Sequence, residues 1–97
     1  MPYKVILTKY AYKDLAKIKR SGYLAKAMVI FEILENDPFQ NPPTYEKLVG
    51  DLYELYSRRL NIQHRVIYKV DKEQKLVTVL RMLTHCESLH ENQEEYE

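Results

Sequence analysis

A single cysteine, Cys86, stands in a chain of 97 residues. One thiol cannot close an internal disulfide, and with no second cysteine there is no thiolate metal site to build. The opening MPYKVILTKY lacks the apolar core of a secretory leader, and nowhere does the chain hold the roughly 18 successive apolar residues of a membrane span. Internal repeats and low-complexity segments are missing as well. These absences point to a soluble, cytoplasmic protein with no membrane role. The net charge is only +1, which by itself argues neither for nucleic acid nor against it.

What is present is ordinary globular material, 45% hydrophobic and 30% charged. This length supports one domain with one modest core, so any site must lie on the surface of that core. We expect the domain to span residues 1–88, with an acidic C-terminal tail at 89–97. Charge is blocked along the chain. Residues 1–31 hold seven Lys or Arg against one acid, and 32–57 one against six. Residues 58–81 return to seven against two, and 82–97 have none against five. A basic block of that density attracts phosphate, although a Lys-rich helix with a solvated side accounts for the first one equally well.

Periodicity predicts a short strand at 3–8 and an amphipathic helix over 11–20, with Ala11, Leu15 and Ile18 on its apolar stripe and Asp14 among the polar positions. A second helix is expected over 23–35, burying Leu24, Ala27, Met28, Phe31 and Leu34. Asn36-Asp37-Pro38 ends it, because the residue before proline is pushed out of the helical region. The proline-rich PFQNPPTY then leads to Glu46. Three strands follow, at about 52–60, 64–70 and 76–84. The layout is α+β, β-α-α-β-β-β, with two N-terminal helices on one face of a small, mainly antiparallel sheet.

The stretch YSRRLNIQHRVIY packs three arginines and a histidine into thirteen residues of otherwise strand-like composition. Side chains alternate along a strand. His64, Val66, Tyr68 and Val70 should therefore share a face, with Arg65, Ile67 and Lys69 on the other. In the last strand Val77, Val79, Arg81, Leu83 and His85 should share one face, opposite Leu76, Thr78, Leu80, Met82 and Thr84. Arg65, Arg81 and His85 can then meet on one exposed face. Arg58 and Arg59 point opposite ways, so at most one joins Arg65, while the other holds the sheet edge or the C-terminus through a carboxylate. His64 reads as a hydrogen-bonded structural histidine facing the helices. A carboxylate, an arginine and a histidine suffice to cleave RNA through its own 2′-hydroxyl: a base, a cation for the phosphorane, an acid for the leaving oxygen, and no metal.

From YEKLVGDL through YSRRLNIQHRVIY to the closing LRMLTHCE, the chain resembles the Txe/YoeB toxins of bacterial toxin-antitoxin modules, within the RelE-like group of ribosome-dependent mRNA interferases. The resemblance covers about half the chain in order and spacing. It implies a RelE-like domain and cleavage of mRNA in the ribosomal decoding site, without cofactor. Expected partners are the ribosome, mRNA, a cognate antitoxin of the YefM/Axe kind and a second copy in a homodimer. By motif position Glu46 would be the general base, Arg65 the transition-state cation and His85 the general acid, with Arg58, Arg59 and Cys86 contacting substrate. Cys86 departs from the tyrosine usual after that histidine, and Leu83 stands where relatives often carry tryptophan. The alternative is thus an attenuated or inactive homologue that binds its antitoxin and regulates its operon.

Overall fold

The computed structural model describes residues 2–48, 55–61 and 64–83. Seven elements follow one another: β1 (Lys4–Leu7), α1 (Lys9–Arg20), α2 (Leu24–Asn36), β2 (Tyr45–Lys47), β3 (Leu55–Arg59), β4 (Arg65–Asp71) and β5 (Leu76–Leu83). The strands make one sheet in the order β1-β5-β4-β3-β2. Every neighbouring pair is antiparallel except β1 with β5, which run parallel. The expected α+β architecture holds, with one strand more: β2 is only three residues long and follows directly on the proline-rich connection.

Thr8 starts α1. Its Oγ1 accepts a hydrogen bond from the Ala11 N–H at 3.1 Å and donates to the Leu80 carbonyl at 2.8 Å, so the cap also ties the helix to β5. Lys17, Lys19 and Arg20 fill the last turn, where cations suit the helix dipole. The helix stops at Gly22, whose φ of +88° lets the Tyr23 N–H turn back to the Ile18 carbonyl at 3.1 Å.

Two expectations about the helices change. In α1 the buried residues are Ala11, Asp14 and Ile18, so Asp14 lies inward and Leu15 only partly so. In α2 they are Ala27, Ile30 and Leu34, while Met28 is 47% exposed. The stripe is rotated from the one periodicity suggested, because nearly all of α2 is apolar and its burial is decided by where the sheet lies.

The core between helices and sheet is formed by these residues with Tyr56, Val66, Tyr68, Val70, Val77, Val79 and Met82. Met82 was expected on the opposite face. Between Ile67 opposite Arg81 and Tyr68 opposite Val79 the register slips, leaving Leu80 extra in β5. This bulge resets the alternation, so that Met82, paired with Val66, returns to the core with Val79. The sheet face away from the helices is also closed at its middle, where Leu55, Ser57 and Ile67 are buried.

Candidate functional site

Register fixes which side chains share the face away from the helices. Glu46 on β2 lies opposite Ser57 on β3, Ser57 opposite Ile67 on β4, and Ile67 opposite Arg81 on β5. One step along, Arg59 lies opposite Arg65. Glu46, Ser57, Arg59 and Arg65 therefore belong to one face, and Arg65 Nη1 donates to Glu46 Oε1 at 3.0 Å. The Glu46 side chain is 65% exposed and that of Arg65 26%. The carboxylate is open to solvent at the sheet edge, and the guanidinium reaches over β3 towards it.

Arg59 is exposed beside Arg65, so of the two consecutive arginines it is the one on this face. Arg58 is 1% exposed. Its guanidinium donates to the carbonyls of Pro38 at 2.9 Å, Gln40 at 2.8 Å and Pro43 at 2.7 Å, and to the Tyr68 hydroxyl at 3.2 Å. The expectation that Arg58 contacts substrate is thus corrected: alternation points it under the proline-rich connection. Its partners there are carbonyls and a phenol, where a carboxylate was expected. Tyr68 completes the clamp by donating to the Pro38 carbonyl at 2.9 Å. Burial pushes that phenol up to about 12 although the Arg58 cation pulls the other way, so it stays neutral and able to donate. Phe39 and Tyr45 each meet the Tyr56 ring edge-on around the same spot, the Phe39 and Tyr56 rings 5.2 Å apart.

Arg81 does not join Arg65. It is 5% exposed and makes a two-pronged contact with Asp14 of α1, Nε to Oδ2 at 2.8 Å and Nη2 to Oδ1 at 3.1 Å. Asp14 Oδ2 also accepts the Met82 N–H at 2.9 Å. The pair fastens α1 to β5 just beyond the point where β1 ends. His64 behaves as a local brace: its N–H donates to Asn61 Oδ1 at 2.7 Å, and its ring lies 6.3 Å from that of Tyr23 at the start of α2. His85 and Cys86 lie outside the described residues. Among the described residues no group of three or more His, Cys, Asp or Glu is gathered as metal ligands, and no helix is long and apolar enough to cross a membrane.

The profile of the YoeB-like toxins of bacterial type II toxin-antitoxin systems matches residues 7–86. The chain belongs to that family. It is a toxin-antitoxin toxin of YoeB/RelE kind, and its fold agrees with solved members. An archaeal RelE in complex with RelB, from Pyrococcus horikoshii, is 28% identical, with 87% of this chain and 96% of that one covered at a TM-score of 0.73. A YoeB/ParE toxin from Agrobacterium tumefaciens is 24% identical, with 86% and 99% covered at 0.75. The YoeB of a Staphylococcus aureus dimer is 21% identical, with 89% and 100% covered at 0.74. No curated protein matches the chain in sequence.

Sequence reasoning missed the Asp14–Arg81 pair and the buried Ser57. The first had no local signal, since its members are 67 residues apart. The second did have one: Ser57 alternates with Arg58 and so shares a face with Arg59.

Proposed function

We propose that this YoeB-like toxin is a ribosome-dependent endoribonuclease that cuts mRNA in the decoding site and is neutralised by an antitoxin. The observation that carries the reading is the Glu46–Arg65 contact of 3.0 Å, an acceptor and a cation on the sheet face away from the helices, with Glu46 largely exposed. The pair is closed at rest. A backbone phosphodiester arriving between Arg65 and Arg59 offers the guanidinium two oxygens that share one negative charge, and Glu46 is freed to accept a proton.

Glu46 then takes the proton of the 2′-hydroxyl, and the 2′-oxygen attacks the adjacent phosphorus. Arg65 holds the charge that builds on the phosphorane oxygens, and the bond from phosphorus to the 5′-oxygen breaks as His85 supplies that oxygen with a proton. The products are a 2′,3′-cyclic phosphate and a 5′-hydroxyl. His85 enters by its position in the family motif, two residues after the end of β5. The antitoxin is inferred from relatives solved with theirs, among them the YoeB-YefM complex of Staphylococcus aureus and DinJ-YafQ of E. coli.

In a cell-free translation reaction the purified protein should cut mRNA within the coding region and leave a cyclic or 3′-phosphate end. Glu46→Gln or His85→Ala should each lower cleavage by about 10²- to 10⁴-fold. Full cleavage by Glu46→Gln would remove the base assignment. Cys86 supports a second reading, an attenuated toxin that chiefly binds its antitoxin and regulates its operon. Under it Cys86→Tyr raises cleavage sharply from a low level.

A further inference from the structure

Ser57 is 1% exposed, and its Oγ is the one hydroxyl among the described residues that is buried without a hydrogen-bond partner. Burial without a bond is unfavourable for a hydroxyl, and a strand position opposite Ile67 would accept alanine or valine. The place of this hydroxyl supplies a reason for it. The Glu46–Arg65 contact joins β2 to β4, strands about 10 Å apart with β3 between them, so it must pass over β3. On that face β3 offers Ser57, directly opposite Glu46, and Arg59, directly opposite Arg65. Opposed side chains on one face start about 5 Å apart at Cβ, within reach of a glutamate carboxylate that folds back over the sheet.

We propose that Ser57 is a positioning residue for Glu46. While Arg65 holds the carboxylate, the hydroxyl has no bond to make. When Arg65 turns to a phosphate, Glu46 loses its partner, and the Ser57 hydroxyl rotates to donate to the freed carboxylate. That bond keeps the carboxylate over the sheet and in its ionised form. The inference rests on the reading of Glu46 as the base. Among the described residues, the charged side chains on the face of Glu46 nearest to it are Arg59 on β3 and Arg65 on β4. Lys69 lies two strand positions beyond Ile67, and Arg81 is held by Asp14. Asp71, at the far end of β4, accepts the Gln74 N–H in the turn.

The test is a carbon NMR titration of the Glu46 side-chain carboxyl in the full chain, in four proteins: wild type, Ser57→Ala, Arg65→Met and the double variant. With Arg65 present, Ser57→Ala should leave the Glu46 midpoint nearly unmoved. In the Arg65→Met background it should raise that midpoint by about half a unit to one unit, since a hydrogen bond to the charged form favours it. Equal midpoints in that background would overturn the proposal. In the cleavage reaction Ser57→Ala should lower kcat about tenfold at unchanged KM. Its thermal midpoint should not fall, because no bond in the resting protein is lost. A lower thermal midpoint with wild-type kcat would assign Ser57 to the fold and also overturn the proposal. Failure of the base reading looks different: Glu46→Gln then cleaves normally, while the Glu46 titration still reports the Ser57 contact directly.

Discussion

Among the described residues two acid-arginine pairs of the same chemistry, one within the sheet and one between α1 and β5, lie in opposite surroundings. Asp14–Arg81 is buried on both sides, with side-chain exposures of 5% and 6%, and is bonded through two prongs. Glu46–Arg65 shows a single bond of 3.0 Å, and Glu46 is 65% exposed. The first pair cannot open without stranding a charge in a dry interior, so its role is to fix α1 against β5. The second can exchange its partner for water or phosphate at little cost. Burial, and not residue type, separates the arginine that builds this protein from the one available to a ligand.

Breaking the buried pair should give the largest effect. Asp14→Ala takes the carboxylate away from the buried Arg81 guanidinium and the Met82 N–H, and should cost about 3–5 kcal/mol of unfolding free energy in urea titration. Asp14→Leu combined with Arg81→Met should recover much of that loss, because no charge is then left buried. A double variant as unstable as the single one would mean that the pair is wanted for its geometry.

Arg58 belongs with the buried pair by the same criterion. Arg58→Met takes the guanidinium donor from the carbonyls of Gln40 and Pro43 and one of two donors from that of Pro38, and should cost about 3 kcal/mol, read from the same titration. Arg59→Met, one residue along and exposed, should change stability by about 0.5 kcal/mol at most. If the two variants were equally stable, the division of labour between these neighbours would be wrong.

That division was legible in part. Alternation alone separated Arg58 from Arg59 and set Arg65 away from His64, because β3 and β4 run without interruption. It failed on β5, where the extra residue at Leu80 carries Met82 back to the core. A bulge is a property of the pairing, and nothing local in LVTVLRML announces it. Asp14 read as polar surface for a similar reason, since its partner is contributed by the far end of the chain. The helices and the α+β layout were legible because their boundaries are written in local residues, Ser21-Gly22 and Asp37-Pro38. β2 was too short to show periodicity. Of the candidate site, family spacing pointed to Glu46 and Arg65, but their contact across β3 depends on register.

Tyr68 gives a smaller effect with a pH signature. Tyr68→Phe removes the bond to the Pro38 carbonyl and one partner of Arg58, for about 1–2 kcal/mol at neutral pH. The wild-type phenol ionises at about 12 in the folded protein, against 10.0 for an ordinary tyrosine. A raised acid of this kind contributes stability in full below pH 10 and loses it as pH climbs towards 12. Wild type should therefore lose stability over that window more steeply than Tyr68→Phe. Parallel curves would show that the phenol ionises without opposing the fold.

The smallest change in stability should come from the exposed pair, and it sharpens the comparison most. Glu46→Gln removes one exposed charge and should alter unfolding free energy by less than about 1 kcal/mol. Raising salt should shrink even that difference, whereas the loss in Asp14→Ala should barely respond, because a buried pair is poorly screened. The same Glu46→Gln protein is the one expected to lose mRNA cleavage. A stable fold with activity gone would mark the Glu46–Arg65 pair as held for chemistry. A salt-insensitive loss of several kcal/mol would make it a second structural clamp.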